Sequence, residues 1–81
     1  MANEESLVLY FRPFCPYCNK VLAYMKDNNI EIPTRNIAAD ADAAAELERV
    51  GGKTQVPCLF IDGKPLYESD DIIAHLEKAF A

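Results

Sequence analysis

Two cysteines, Cys15 and Cys18, are separated by two residues and are the strongest candidates for chemistry in the sequence. If the pair opens a helix, both sulfur atoms come within bonding distance. Free backbone N–H groups and the helix dipole then favour the thiolate of Cys15 over its thiol. Pro16 suits the first helical position, and Pro13 disfavours a helical conformation at Arg12, so we predict that the helix begins at the motif. The spacing indicates a redox-active dithiol in which Cys18, one turn further in, can attack a disulfide made by Cys15.

A metal site or a pair of core thiols is the alternative interpretation of these two cysteines. A structural zinc site usually has a second pair of ligands at similar spacing. Only Cys58 and His75 remain to supply that pair, and they are far apart in the sequence. We therefore expect no metal and favour the redox interpretation. Cys58 is expected to be a buried, unreactive thiol.

Two dipeptides are further candidates for binding a substrate or ligand, although each also has a simple structural interpretation. Val56-Pro57 precedes a predicted strand and can be an ordinary strand start. If its peptide bond is cis, the backbone of Val56 can pair with an extended peptide that lies beside Cys15. Ser69-Asp70 can be a helix cap with an acid that complements the dipole. It can also bind an α-amino acid head group, because helix N–H groups bind a carboxylate while Asp70 receives an ammonium.

The elements that must position these residues follow from apolar patterning, which predicts the order β-α-β-α-β-β-α. The predicted strands cover Ser6–Phe11, Ile30–Ile37, Pro57–Ile61 and Lys64–Tyr67. The predicted helices run from Cys15 to about Asn28, from Asp40-Ala41-Asp42 to Gly51-Gly52, and from Ser69 onward. Asp62-Gly63 predicts a two-residue hairpin turn between the last two strands.

These elements predict a single α/β domain over residues 1–81, with a four-stranded mixed sheet flanked by three helices. One crossover helix joins the first two strands, which implies that they are parallel. Pro33 lacks an N–H, and this places the second strand at a sheet edge. Ser69 is expected to cap the last helix. The inward face of that helix is expected to consist of Ile72, Ile73, Leu76 and Phe80.

The composition and charge of the sequence limit the classes of binding partner and the cellular compartment that we expect. The 81 residues carry a net charge of −5, which argues against nucleic acid and anionic membrane surfaces as partners. No stretch is long enough to span a bilayer, and residues 1–6 are acidic and polar, unlike a secretory signal. Three cysteines without an export signal favour a reducing compartment. We expect a cytoplasmic monomer that binds neither nucleic acid nor membrane.

Taken together, the motifs resemble those of the glutaredoxin family, which has a thioredoxin-like fold. Cys15-Pro16-Tyr17-Cys18 is similar to the dithiol active site, Val56-Pro57 to the cis-proline loop, and Ser69-Asp70 to the γ-glutamyl-binding turn. The resemblance covers the chain from about Ser6 to Leu76. It implies an enzyme that uses glutathione as co-substrate to reduce disulfide-containing or glutathionylated proteins, with Cys15 as nucleophile and Cys18 as resolving cysteine.

The resemblance also implies a set of glutathione-binding residues. Arg12 matches a basic position that contacts a glutathione carboxylate, and Val56 would pair its backbone with the cysteinyl part. The implied set is Arg12, Tyr17, Gln55, Val56, Pro57, Ser69 and Asp70. The sequence departs from the family pattern at Gln55, where threonine is common, and at Tyr67-Glu68, where a pair of glycines is expected.

Three other functions fit parts of the pattern. The dithiol can be an electron donor recharged by a flavin-dependent reductase, which needs no glutathione site. The chain can also be a non-enzymatic iron–sulfur carrier, with Cys15 of two copies and two glutathiones as ligands, although Pro16 disfavours this. Glu68-Ser69 resembles the N-terminal domain of glutathione transferases, but these 81 residues contain no all-helical second domain.

Overall fold

The computed structural model describes residues 6–80 and contains the seven elements in the predicted order. The expectation that the acidic start is no signal segment concerns mainly residues 1–5, which lie outside that range, as does residue 81. The strands are β1 Leu7–Phe11, β2 Thr34–Asn36, β3 Cys58–Ile61 and β4 Lys64–Tyr67. The helices are α1 Pro16–Asp27, α2 Ala41–Gly51 and α3 Ser69–Ala79.

The four strands form one mixed sheet in the order β2-β1-β3-β4. β1 is parallel to β2 and antiparallel to β3, and β3 is antiparallel to β4. The predicted parallel first pair and the edge position of β2 are therefore confirmed. Asp62 and Gly63 have φ angles of 52° and 85°, as the predicted two-residue hairpin turn requires.

Helices cover both faces of the sheet, and each face has its own apolar cluster. On one face, Leu9 and Leu59 of the sheet pack with α1 and α3. On the other face, Tyr10 and Phe60 pack with α2, and their ring centroids are 4.4 Å apart. Because β1 and β3 contribute side chains to both clusters, these central strands are buried on both sides, and this fixes the sheet between its helices.

α1 ends at a hydrogen-bonded turn, and this turn explains why β2 is shorter than predicted. Asn29 has a φ of 56°, and its N–H and that of Ile30 donate to the carbonyls of Lys26 and Met25. This is a Schellman arrangement, which places Ile30 in the helix stop and in the core instead of in a strand. The predicted strand Ile30–Ile37 was therefore too long, since only Thr34–Asn36 pair with β1.

α2 begins and ends as predicted. The Asp40 side chain accepts hydrogen bonds from the backbone N–H groups of Asp42 and Ala43. The bond from Ala43 is the largest contribution to a lowered pKa of Asp40, and Arg35 assists. At the other end Gly52 adopts the left-handed conformation with φ 86° and closes the helix.

The start of α3 differs from the prediction. Glu68, not Ser69, is the N-cap, and it makes no side-chain capping hydrogen bond. Ser69 is instead the first helical residue and is buried. Ile72 and Leu76 are fully buried as expected, whereas Phe80 is 41% exposed, so its predicted inward position was wrong. Phe80 follows the last helical residue, where the helix no longer fixes the direction of the side chain.

Candidate functional site: a dithiol beside a cavity

The two motif cysteines lie at the start of α1, between the end of β1 and the first helical turn. Cys15 is the N-cap, with the extended backbone angles φ −110° and ψ 115°. Its Sγ accepts a hydrogen bond from the backbone N–H of Cys18, at 3.4 Å. Pro16 occupies the first helical position, where its missing N–H leaves no partner unsatisfied. The sulfur of Cys15 therefore takes the place of the oxygen in an ordinary helix cap.

The two thiols differ in acidity because they have different environments at the start of α1. Burial acts to raise the pKa of Cys15, but hydrogen bonds from Cys18 and Tyr17 and the charge of Arg12 together hold it below the ordinary value. Burial raises the pKa of Cys18 to about 11, and the neighbouring Cys15 adds to the rise. At neutral pH, Cys15 is thus the better nucleophile and Cys18 a protonated donor to it.

A cavity of about 310 Å³ lies beside the dithiol. Its walls come from the start of α1, from the segment before β3 and from the start of α3. The lining residues are Tyr17, Lys20, Gln55, Val56, Pro57, Glu68, Ser69 and Asp70. The peptide bond between Val56 and Pro57 is cis. Six of the seven residues implied as glutathione ligands therefore share one cavity, although they come from three separate parts of the chain.

Arg12 is the seventh residue of that set, and it does not line the cavity within the described part of the chain. It is exposed, and its charge acts on the Cys15 thiolate. Its position fits a role in acidity better than one in the cavity wall.

The cavity contains two charged residues, Lys20 and Glu68, that were not in the predicted set. Lys20 of α1 forms an ion pair with Asp70 of α3. Sequence patterns could not reveal this pair, because the two residues are 50 positions apart. Glu68 has φ 78° and ψ 116°, a backbone conformation that strongly favours glycine. The sequence signals for it were its place before Ser69-Asp70 and the departure from the glycine pair expected at Tyr67-Glu68.

Two exposed aromatic residues, Phe14 and Tyr17, are next to Cys15 and Cys18 in the sequence. Phe14 is 95% exposed and Tyr17 is 65% exposed. Phe14 has a φ of 61°, so the turn before Cys15 directs a large apolar side chain into solvent. Tyr17 also lines the cavity. Sequence reasoning missed Phe14, because its exposure depends on that backbone angle.

Cys58 is the third cysteine, and its surroundings agree with the predicted buried thiol. It follows Pro57 into β3 and is fully buried. Burial raises its pKa to about 11. At neutral pH it is therefore protonated and poorly nucleophilic.

Comparison with known proteins identifies the arrangement. Residues 7–66 match the sequence model of the glutaredoxin family, and this range includes the dithiol and the cis-proline. The chain belongs to the glutaredoxin family. It is 31% identical over 74 residues to glutaredoxin 3 of Escherichia coli, covering 91% of this chain and 86% of that protein. It is also 35% identical over 78 residues to the hybrid peroxiredoxin hyPrx5 of Haemophilus influenzae, covering 96% of this chain but only 30% of that protein.

Solved structures agree on the fold. A thioredoxin-like protein variant superposes with a TM-score of 0.75 at 25% identity, covering 93% of this chain and 99% of its own. Rice glutathione transferase GST1, solved in complex with glutathione, superposes with a TM-score of 0.73 at 27% identity, covering 98% of this chain and 35% of its own. The fold is therefore thioredoxin-like, and the glutaredoxin family to which this chain belongs is one of thiol oxidoreductases.

Between residues 6 and 80, no three His, Cys, Asp or Glu side chains come together as a metal site. None of the helices in that range has the length and apolar character needed to cross a membrane.

Proposed function

We propose that this glutaredoxin is a glutathione-dependent thiol–disulfide oxidoreductase with Cys15 as nucleophile and Cys18 as resolving cysteine. The observation that carries the proposal is the helix-capping geometry of Cys15, whose sulfur accepts the N–H of Cys18. This geometry stabilises a thiolate at the one motif cysteine whose pKa is lowered. The thiolate is the form that attacks disulfides.

With a glutathione mixed disulfide, the Cys15 thiolate attacks the glutathione sulfur. A bond forms between Cys15 and glutathione, and the substrate protein leaves as a thiolate that takes a proton from water. A second glutathione thiolate then attacks the sulfur of the bound glutathione. Glutathione disulfide leaves, Cys15 returns to its thiolate, and the substrate has gained two electrons.

With a protein disulfide, Cys15 first forms a mixed disulfide with one substrate sulfur. Cys18 then loses its proton, attacks Cys15 and releases the second substrate thiolate. The resulting Cys15–Cys18 disulfide is reduced by two molecules of glutathione. The pKa of about 11 keeps Cys18 protonated until this step. Before substrate binds, the Cys18 thiol therefore donates a hydrogen bond to the Cys15 thiolate.

The cavity beside the dithiol is the proposed glutathione site. Ser69 and the first N–H groups of α3 would hold the α-carboxylate of the γ-glutamyl group, and Asp70 would receive its ammonium. Val56 would pair its backbone with the cysteinyl part, between walls formed by Tyr17, Gln55 and Pro57. A glutathione complex of a transferase with this fold supports the assignment. The charge of Arg12 attracts the anionic tripeptide toward Cys15.

The test is a coupled assay with glutathione, glutathione reductase and NADPH. Cys15→Ser should abolish turnover of both a small glutathione mixed disulfide and a protein disulfide. Cys18→Ser should retain the first activity and lose the second, because only a protein disulfide requires a resolving cysteine. If Cys18→Ser were as inactive as Cys15→Ser on the small substrate, the proposed mechanism would be wrong.

A further inference from the structure

Tyr67, the last residue of β4, contacts Lys53 in the segment that leads to the cavity and lies beside Cys58 at the start of β3. Its hydroxyl donates a hydrogen bond to the backbone carbonyl of Lys53, at 3.1 Å. Tyr67 is also the cross-strand partner of Cys58 in the antiparallel pair of β3 and β4. The Lys53 ammonium lies 4.5 Å from the centre of the Tyr67 ring. The ring therefore bridges the middle of this segment and the first residue of β3.

Gly51, the last residue of α2, completes this contact because it has no side chain. A Cβ at this position would lie 2.1 Å from the Tyr67 hydroxyl oxygen and 3.2 Å from Cζ. The first distance is far below a van der Waals contact, so any larger residue must displace the hydroxyl. The Tyr67 hydroxyl therefore keeps this position only opposite a glycine.

The segment held in this way runs from Gly52 to Pro57 and forms one wall of the cavity. Gln55, Val56 and Pro57 line the cavity, and the contacts of Tyr67 lie on either side of them at Gly51, Lys53 and Cys58. Residues 52–55 are exposed, so little core packing holds this first part of the segment, whereas Val56 packs against the apolar cluster of Tyr10 and Phe60. Side-chain hydrogen bonds to backbone are a common way to order such a loop.

We propose that Tyr67 is a positioning residue for glutathione. Its hydroxyl, packed against Gly51 and bonded to the Lys53 carbonyl, fixes the segment that presents Val56 to the ligand. This inference rests on the proposed function, because the cavity matters only if glutathione binds there. Tyr67 itself is not among the described residues that line the cavity.

The first test compares Tyr67→Phe with Tyr10→Phe. Both changes remove one hydroxyl from a tyrosine of the same apolar cluster, and the Tyr10 hydroxyl accepts only from Arg35 among the bonds seen, at 3.3 Å. Loss of one positioning hydrogen bond should raise the KM for glutathione roughly three- to tenfold in Tyr67→Phe. The kcat and the alkylation rate of Cys15 should stay unchanged, because α1 is not displaced. Tyr10→Phe should leave KM unchanged.

The second test is a double-mutant cycle with Gly51→Ala. Alone, this change should lower Tm and raise the KM for glutathione, because its methyl group displaces the hydroxyl. In the Tyr67→Phe background it should add little to either quantity, since the atom it displaces is gone. Tyr67→Phe is conservative, so a Gly51→Ala protein that failed to fold would still leave the first test decisive.

The outcomes separate this inference from the proposed function. If the wild-type protein is active with glutathione and Tyr67→Phe has an unchanged KM for glutathione, the positioning role alone is overturned. An equal rise of KM in Tyr10→Phe would also overturn it, because the effect would then be a general loss of stability. If the wild-type protein showed no turnover with glutathione, both the proposed function and this role would be overturned. This would hold even if the effects of Tyr67→Phe and Gly51→Ala on Tm were coupled.

Discussion

Cys15 and Cys18 are three positions apart, yet the protein moves their pKa values in opposite directions. Cys15 gains hydrogen-bond donors at the helix start, whereas burial dominates at Cys18. The donor side chain of Cys18 stabilises the Cys15 thiolate, so the two thiols act as one unit. The sequence predicted this division of roles, because a C-x-x-C motif at a helix start can place only its first cysteine at the cap.

This difference predicts the pH dependence of alkylation. Thiolate is present above its pKa, so the iodoacetamide rate at Cys15 should fall as pH drops through a midpoint below that of a free cysteine peptide. Cys18→Ala should move this midpoint upward, because it removes the side-chain donor. Cys18→Ser keeps a donor and should move it less. Peptide mapping at neutral pH should find Cys15 labelled first, and earlier labelling of Cys18 or Cys58 would refute the assignment.

At the scale of elements, the junction between β4 and α3 departs most from an ordinary connection. Glu68 has positive φ immediately before the helix, and Ser69 lies buried as the first helical residue. The sequence suggested Ser69 as cap because serine is a common N-cap residue. The departure at Tyr67-Glu68, where a pair of glycines is expected, was the sequence signal for the real cap, because its positive φ favours glycine.

The strain at Glu68 should reverse the usual order of alanine and glycine. In a helix, glycine is less stable than alanine by about 1 kcal/mol, so Ala74→Gly on α3 should lower the free energy of unfolding by that amount. At position 68, alanine keeps the unfavourable φ while glycine relieves it. Glu68→Gly should therefore be more stable than Glu68→Ala by about 1 kcal/mol, as measured by urea denaturation. The same order at both positions would contradict the strain.

At the scale of the molecule, the sequence predicted the order of elements, the parallel first pair, the hairpin and the edge strand. Those features depend on local signals such as Pro33, Asp40, Gly52 and Asp62-Gly63. The errors concern a local helix stop at Ile30 and contacts between distant parts of the chain. Ile30 belongs to the turn that ends α1, and its side chain enters the core. The cavity could be predicted only as a list of residues, because its ion pair joins α1 to α3.

The charge of the whole protein opposes the proposed binding of glutathione. The net charge of −5 repels an anionic tripeptide, so local contacts must overcome the general field. Lys20 and Asp70 supply opposite charges on facing sides of the cavity, and a zwitterionic α-amino acid group can exchange with both. Their side chains are 52% and 81% exposed, so the present pair contributes little stability and can open for a ligand.

This exchange predicts different effects for two neighbouring acids of α3. Asp70→Asn should raise the KM for glutathione roughly five- to tenfold, because it removes the partner of the ligand ammonium. Asp71→Asn makes the same charge change in the same helical turn, where the effect on the helix dipole is equal, but Asp71 does not line the cavity. It should change KM less than about twofold. Reduction of the dithiol by dithiothreitol needs no such site and should be equal in both variants. Equal glutathione kinetics in the two variants would mean that the cavity does not hold the γ-glutamyl group, and a flavin-dependent reductase would become the leading candidate for the electron donor.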